Sequence, residues 1–355
     1  MNLPPYHQFR ALKPSQMAPF LRSDDCRLQS LIFTQQFNRE LIERMVRCAD
    51  QCRMLMMDRE GSRYLRSRLA DKAASLYFPQ CSTRTFTSFS FAAQSLGMMV
   101  EEIRDAEMSA MYKGESELDT LLTLSSLSDV VVLRQMDAEI ALTLAYELAN
   151  RGMHTRVING GSGADQHPTQ ALLELYTLLS HFRETAAEFS GHEKTVAFVG
   201  DLKRSRTARS LSYLLGLYPK IRQVFVAPPE LQMENDLLDY LRATNVAFEC
   251  IESLDDVLSE ADAFYIMRIQ DEYSATSEET RRRYEQYHLS SEKVNAMKLS
   301  ACILHPLPRR AEIPIEIDRD PRAKYWDAVR CGKHIRMALL LHMFGRDDIS
   351  TGSLF

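Results

Sequence analysis

The chain has 355 residues, enough for two domains of ordinary size with a core in each. Its 45% hydrophobic and 26% charged residues suit a soluble globular protein, and a net charge of −5 gives no support to nucleic-acid or anionic-membrane binding. No apolar run approaches a membrane span, and the N-terminus, with Pro4, Pro5, His7, Arg10 and Pro14, lacks the apolar centre of a secretory signal.

Residues 1–28, rich in proline and polar residues, are expected to form an irregular extension. An amphipathic helix follows, with Phe37, Leu41, Met45, Cys48, Cys52 and Leu55 along one stripe. Cys48 and Cys52 are thus explained by packing, and no zinc-type Cys/His spacing occurs in the chain. The seven cysteines, odd in number and scattered, fit reduced thiols in a cytoplasm. Strands are predicted at Ala73–Phe78, Met98–Ile103, Val130–Leu133 and Thr155–Asn159, with helices near Phe86–Leu96, Leu118–Ser126 and Glu139–Asn150. A long helix beginning near Gln170 leads into the polar stretch Arg183–Lys194. The alternation then restarts: strand Thr195–Val199, a helix from Thr207, strand Gln223–Val226 and a helix after Pro229. Strands Ala247–Ile251, Ala263–Met267 and Ala301–Leu304 follow, and a last helix spans His334–Phe344.

The strands are short and almost wholly apolar, as in a parallel sheet covered on both faces. The fold class expected is α/β: two doubly wound parallel-sheet domains bridged by helices, with the active site in the interdomain cleft. The boundaries read as an extension at 1–28, a first domain at 29–178 completed by 332–355, and a second at 179–331.

In open parallel sheets, ligands gather at the carboxyl ends of strands. Ser82-Thr83-Arg84-Thr85 stands there, between the first strand and a helix closed by Gly97. Hydroxyls and a guanidinium at a helix N-terminus make an anion site that suits phosphate. Alone, the tetrapeptide also fits an ordinary cap beside a solvated arginine. It is not alone: Arg134, Asn159–Gln170, Asp201–Arg206, Arg268–Gln270 and His305–Arg309 stand at other strand ends. That agreement argues for one ligand-binding cleft.

Ser82-Thr83-Arg84-Thr85 with Ser88-Phe89, His167-Pro168-Thr169-Gln170 and His305-Pro306-Leu307-Pro308-Arg309 resemble the motifs of the aspartate/ornithine carbamoyltransferases. The resemblance runs from about Ile32 to Leu340. The His-Pro-Leu-Pro run, Asp201-Leu202-Lys203 with Arg206-Thr207, and Arg268-Ile269-Gln270 point to the aspartate branch, and the Ser-Met-Gly motif of the ornithine branch is missing.

The resemblance implies transfer of a carbamoyl group from carbamoyl phosphate to L-aspartate, an early step of pyrimidine synthesis, with no metal or organic cofactor. It places Ser82, Thr83, Arg84 and Thr85 on the phosphate, and Thr85, Arg134 and His167 on the carbonyl oxygen. Gln170 and the main-chain carbonyls of Pro306 and Leu307 would hold the carbamoyl NH₂, with a cis Leu307–Pro308 bond. Arg206, Arg268 and Gln270 would meet the two aspartate carboxylates. Ser109 and Lys113 would reach into the site of a neighbouring subunit, making a homotrimer the minimal active form. Read from sequence alone, Lys113 is an ordinary solvated lysine.

Several positions depart from the family pattern. Phe86 and Ser90 replace an Arg and a Glu, Ser162-Gly163 an Asp-Gly, Ser205 a Gly, and Gln135-Met136 a His-Pro. Lys333-His334 stands where apolar or aromatic residues are usual. A carbamoyltransferase for a different amine and a non-catalytic regulatory relative are therefore the alternatives. The arginines and His167 argue against the second, and Arg268-x-Gln270 against the first.

Overall fold

A computed structural model describes residues 3–104, 114–163, 166–185, 193–269 and 284–349. The chain divides into two compact units, Met1–Leu173 with Cys331–Phe355, and Glu174–Arg330.

The first unit opens with helices α1 (Tyr6–Arg10) and α2 (Pro14–Met17). Residues 1–28 are therefore not the irregular extension that their prolines suggest. Pro5 is the N-cap of α1 and Pro14 opens α2, positions where a missing N–H costs no helical bond. Phe9, Met17 and Leu21 are buried in the core of this unit, with the Phe9 ring 5.3 Å from that of Tyr146.

Next come β1 (Ser30–Leu31), α3 (Arg39–Leu55), α4 (Arg59–Ser67), β2 (Ala73–Tyr77), α5 (Thr83–Ser95) and β3 (Met99–Ile103). The series continues with α6 (Glu117–Leu127), β4 (Val130–Gln135), α7 (Ile140–Asn150), β5 (Arg156–Ser162) and α8 (Pro168–Thr185). Helix α3 is capped by the Asn38 side chain and buries the expected stripe, Cys48 and Cys52 included. The five strands are parallel in the order β1-β5-β4-β2-β3.

The second unit carries β6 (Lys194–Val199), α9 (Arg206–Leu215), β7 (Ile221–Val226), α10 (Asn235–Ala243), β8 (Phe248–Ile251), β9 (Ala263–Ile266), α11 (Ser291–Ala296) and β10 (Cys302–Leu304). These strands are also parallel, ordered β10-β9-β6-β7-β8, and Ala197, Val199, Val224, Val226, Phe264, Ile266 and Ile303 form the centre of their core. The last helix, α12 (Tyr325–Met343), begins nine residues earlier than its apolar periodicity suggests. Its first turns bury Tyr325 and Ala328, but Trp326, Asp327, Val329 and Arg330 around them are not buried and interrupt the apolar pattern.

Both sheets reverse direction once. The chain adds β3 on one side of β2 and β4 on the other; it adds β7 on one side of β6 and β9 on the other. At such reversals, loops from adjacent strands diverge and leave a crevice at the carboxyl ends. Ser82–Thr85 and Arg134 flank the reversal of the first sheet. Arg206 and Arg268 flank that of the second.

Candidate active site

Ser82 is the N-cap residue of α5, in extended conformation, and its side chain makes no capping bond. The first-turn N–H groups of a helix have no intrahelical acceptor, so this end presents donors and a positive dipole. Arg84 is exposed, and nearby protein still strips enough water from its guanidinium to lower its pKa. Thr85 is buried and points elsewhere: its Oγ1 lies 3.2 Å from His167 Nε2.

The β4–β5 pairing explains how Arg134 comes to the same place. Leu133 pairs with Asn159 and Gln135 with Ser162, so Arg134 alone opposes Gly160 and Gly161. Such a bulge twists the ladder and re-aims the side chain beside it. Arg134 Nη1 donates to the Gly160 carbonyl at 3.2 Å. Gly161 has φ +114°, and a Cβ there would lie 2.6 Å from Arg134 Nη1 and 3.1 Å from His167 Cδ2. The absent side chain is what lets guanidinium and imidazole share the space.

Asn159 holds this loop from beneath. It is 2% exposed; its Nδ2 donates to the Ile32 carbonyl and to Ser162 Oγ, and its Oδ1 accepts the Gly161 N–H at 2.8 Å. Gln166 accepts the Thr34 N–H on Oε1, while its backbone carbonyl accepts the Ser162 N–H. Gln170 sits in the first turn of α8, its N–H donating to the His167 carbonyl. Thr85, Arg134 and His167 are thus brought together within one unit, on a frame satisfied by buried amides.

In the second unit Arg206 is the first residue of α9, and burial lowers its pKa. Arg268 is half-buried just beyond β9. Ser205 ties the two loops. Its Oγ accepts the Ala208 N–H as the α9 cap and lies 2.9 Å from Met267 Sδ, one residue before Arg268. Pro306 and Leu307 follow β10, and the Leu307–Pro308 bond is cis, as expected. Arg309 of the same motif forms a bidentate pair with Asp318 and donates to the Tyr325 hydroxyl, which makes it a structural residue. Gln270, Ser109 and Lys113 lie outside the described residues. A cavity of about 710 Å³ opens beyond β7 and β8, lined by Lys203, Glu230, Arg242 and Glu252 among others, and by none of these site residues.

The model of the aspartate/ornithine carbamoyltransferase carbamoyl-P binding domain matches residues 29–180, and that of the Asp/Orn binding domain matches residues 192–343. The chain belongs to the aspartate/ornithine carbamoyltransferase family. It is 38% identical over 272 residues to the aspartate carbamoyltransferase catalytic subunit of Methanocaldococcus jannaschii, covering 77% of this chain and 85% of that protein. The structure of the M. jannaschii catalytic subunit superposes with a TM-score of 0.79 at 33% identity, covering 90% of this chain and 98% of the other. Aspartate transcarbamoylase from Trypanosoma cruzi, solved with carbamoyl phosphate and aspartate, gives 0.76 at 31% identity, with 88% and 94% covered. The multifunctional protein CAD of Squalus acanthias is 34% identical over 318 residues, 90% of this chain, which spans 13% of the length of that protein.

Several positions that depart from the motifs have defined partners. Arg104 stacks its guanidinium 3.5 Å over the Phe86 ring, and Ser90 Oγ donates to Glu102 at 2.7 Å. An arginine just beyond β3 and a carboxylate on it thus meet the two α5 residues. Phe86 also packs edge-to-face on Phe78. Ser162 receives the Asn159 amide, and Gln135 donates to Glu117. Asn159, Gly161 and Ser205 fall within the strand-end segments marked by the sequence but carry no role there, and Arg104 lies outside every motif. The consecutive glycines directly after an apolar strand are the signal that points to close backbone approach at Gly161.

Proposed function

We propose that the chain catalyses carbamoyl transfer from carbamoyl phosphate to L-aspartate, giving N-carbamoyl-L-aspartate and phosphate. The observation that carries this reading is the meeting of Thr85, Arg134 and His167 around Gly161, next to the N-terminus of α5. The phosphate dianion sits on Ser82, Thr83, Arg84 and the Thr85 N–H, and the carbonyl oxygen faces the hydroxyl, the guanidinium and the imidazole. As the aspartate amine attacks, a C–N bond forms and negative charge grows on that oxygen. Donors already in place stabilise it without reorganising, an effect whose loss costs about 10²–10³ in rate per donor. The C–O bond to phosphate then breaks, and the leaving phosphate takes the proton of the amine. Gln170 and the carbonyls of Pro306 and Leu307 orient the carbamoyl NH₂. Arg206, Arg268 and Gln270 receive the aspartate carboxylates, to which planar guanidinium groups are matched.

Ser109 and Lys113 complete the site of a neighbouring copy in a homotrimer. The enzyme works in the cytoplasm, a reading supported by seven free cysteines. Among the described residues, no helix is long and apolar enough to cross a membrane. Two alanine variants test the assignment of substrates to residues. Arg84→Ala should abolish turnover at ordinary carbamoyl phosphate concentrations, and Arg268→Ala should raise KM for aspartate far more than for carbamoyl phosphate. Equal losses for both substrates in both variants would overturn it.

A further inference from the structure

His305 directly follows β10 and is buried, and its motif assigns it no task of its own. Its two ring nitrogens face partners of opposite kind. Nε2 lies 2.8 Å from Glu312 Oε1, while Nδ1 lies 2.7 Å from the Leu307 backbone nitrogen. Glu312 Oε1 also accepts the Arg310 N–H at 2.9 Å. That oxygen is an acceptor toward both neighbours, so Nε2 carries the hydrogen. The Leu307 N–H is a donor, so Nδ1 keeps its lone pair. Only the neutral Nε2–H tautomer satisfies both, since an imidazolium offers no acceptor.

The Leu307 N–H has particular leverage here. Pro306 and Pro308 have no N–H, so Leu307 supplies the one backbone donor in the Pro-Leu-Pro run. Leu307 also has φ +56°, a left-handed conformation that a leucine adopts only when its surroundings hold it there. In a trans peptide the N–H and the preceding carbonyl point in opposite directions. Fixing the Leu307 N–H on His305 therefore aims the Pro306 carbonyl away from the imidazole, and fixes the start of the next peptide plane as well.

We propose that His305 is a positioning residue: as the Nε2–H tautomer seated on Glu312, it uses Nδ1 to aim the Pro306 and Leu307 carbonyls at the carbamoyl NH₂ and the incoming amine. This rests on the proposed carbamoyl transfer. Two substitutions separate the ring nitrogens. In His305→Asn, Oδ1 takes the place of Nδ1 and accepts the N–H two residues on, as in an Asx-turn. In His305→Gln, the longer amide reaches Glu312 and removes the acceptor that Nδ1 offers to the Leu307 N–H.

The test measures kcat, KM for both substrates, and hydrogen exchange at the Leu307 amide. His305→Asn is expected to keep kcat within about threefold and the amide protected. His305→Gln is expected to lose about 10²-fold in kcat, the scale of a small misplacement at a reacting centre. Its carbamoyl phosphate KM should hold, and its Leu307 amide should exchange faster. Equal kcat in the two variants, or a greater loss in His305→Asn, would overturn the proposal. If His305→Gln does not fold, nitrogen NMR of the wild-type ring decides: a protonated Nδ1 overturns the proposal, a protonated Nε2 alone upholds it. A wild-type enzyme inactive with carbamoyl phosphate and aspartate would instead sink the proposed function, whatever tautomer His305 adopts.

Discussion

Gly161→Ala is a one-carbon change that should act on catalysis through geometry alone. At φ +114° an alanine is strained, at a cost of about 1–3 kcal/mol of stability. Its Cβ, placed on the present backbone, lies 2.6 Å from Arg134 Nη1 and 3.1 Å from His167 Cδ2. Ordinary contact begins near 3.4 Å, so the guanidinium must withdraw by about 1 Å or the loop must move by as much. A displacement of that size at a reacting centre costs on the order of 10²-fold in rate. Gly160→Ala is the control. Its Cβ would press on the Leu133 carbonyl oxygen and the Phe78 ring, each at 3.1 Å, and its three nearest atoms include none of Arg134 or His167. Urea unfolding and steady-state kinetics on the two variants give the comparison. Both should lose stability, and Gly161→Ala should lose at least tenfold more kcat than Gly160→Ala. Wild-type kcat in Gly161→Ala, or equal kcat losses in both, would refute the argument that this glycine makes room for the two side chains.

Two further outcomes are expected. Burial, together with Lys333 and Arg53, pushes His334 down to about 4 from 6.5. Between those values the unfolded chain binds a proton that the folded chain does not. Stability should therefore fall as pH drops from 6.5 toward 4, by about 3 kcal/mol at most, and the contribution is fully present above 6.5. His334→Phe should flatten that limb in pH-dependent urea titrations; an unchanged slope would place its origin elsewhere. If the chain works as the proposed homotrimer, Lys113→Ala and Arg84→Ala chains should each be inactive, and mixing them under subunit exchange should restore activity to the fraction of interfaces carrying both wild-type residues. Wild-type activity in a monomer would end the shared-site reading.

Much of the fold is legible in the sequence because apolar periodicity marks buried faces. Inner strands such as β2, β4, β6 and β9 carry continuous apolar runs, whereas the edge strands β3 and β8 carry Glu101, Glu102 and Glu249, and α3 shows its stripe residue by residue. Where the signal fails, the burial differs. The first turns of α12 bury only Tyr325 and Ala328 among exposed or half-exposed residues, and the proline-rich opening hides Phe9 and Met17, which share a core with Tyr146 far along the chain. The site divides in the same way. Ser82–Thr85, Arg134, His167 and Arg206 announce themselves by residue type at strand ends. Asn159, Ser205 and Arg104 act through contacts set by pairing register and by neighbours distant in sequence. Phe86 reads in the sequence only as a departure from the motif, and its partner, the Arg104 guanidinium over its ring, lies eighteen residues away on the far side of β3.

The most direct test of the account is a steady-state assay of the purified chain with carbamoyl phosphate and a panel of amines, detecting the carbamoylated product and phosphate together. L-Aspartate should be carbamoylated with one phosphate released per N-carbamoyl-L-aspartate formed. Ornithine and putrescine should react far more slowly, because Arg206 and Arg268 would repel a cationic substrate. Faster turnover with ornithine or putrescine at matched concentrations, or no carbamoyl transfer to any amine, would contradict it.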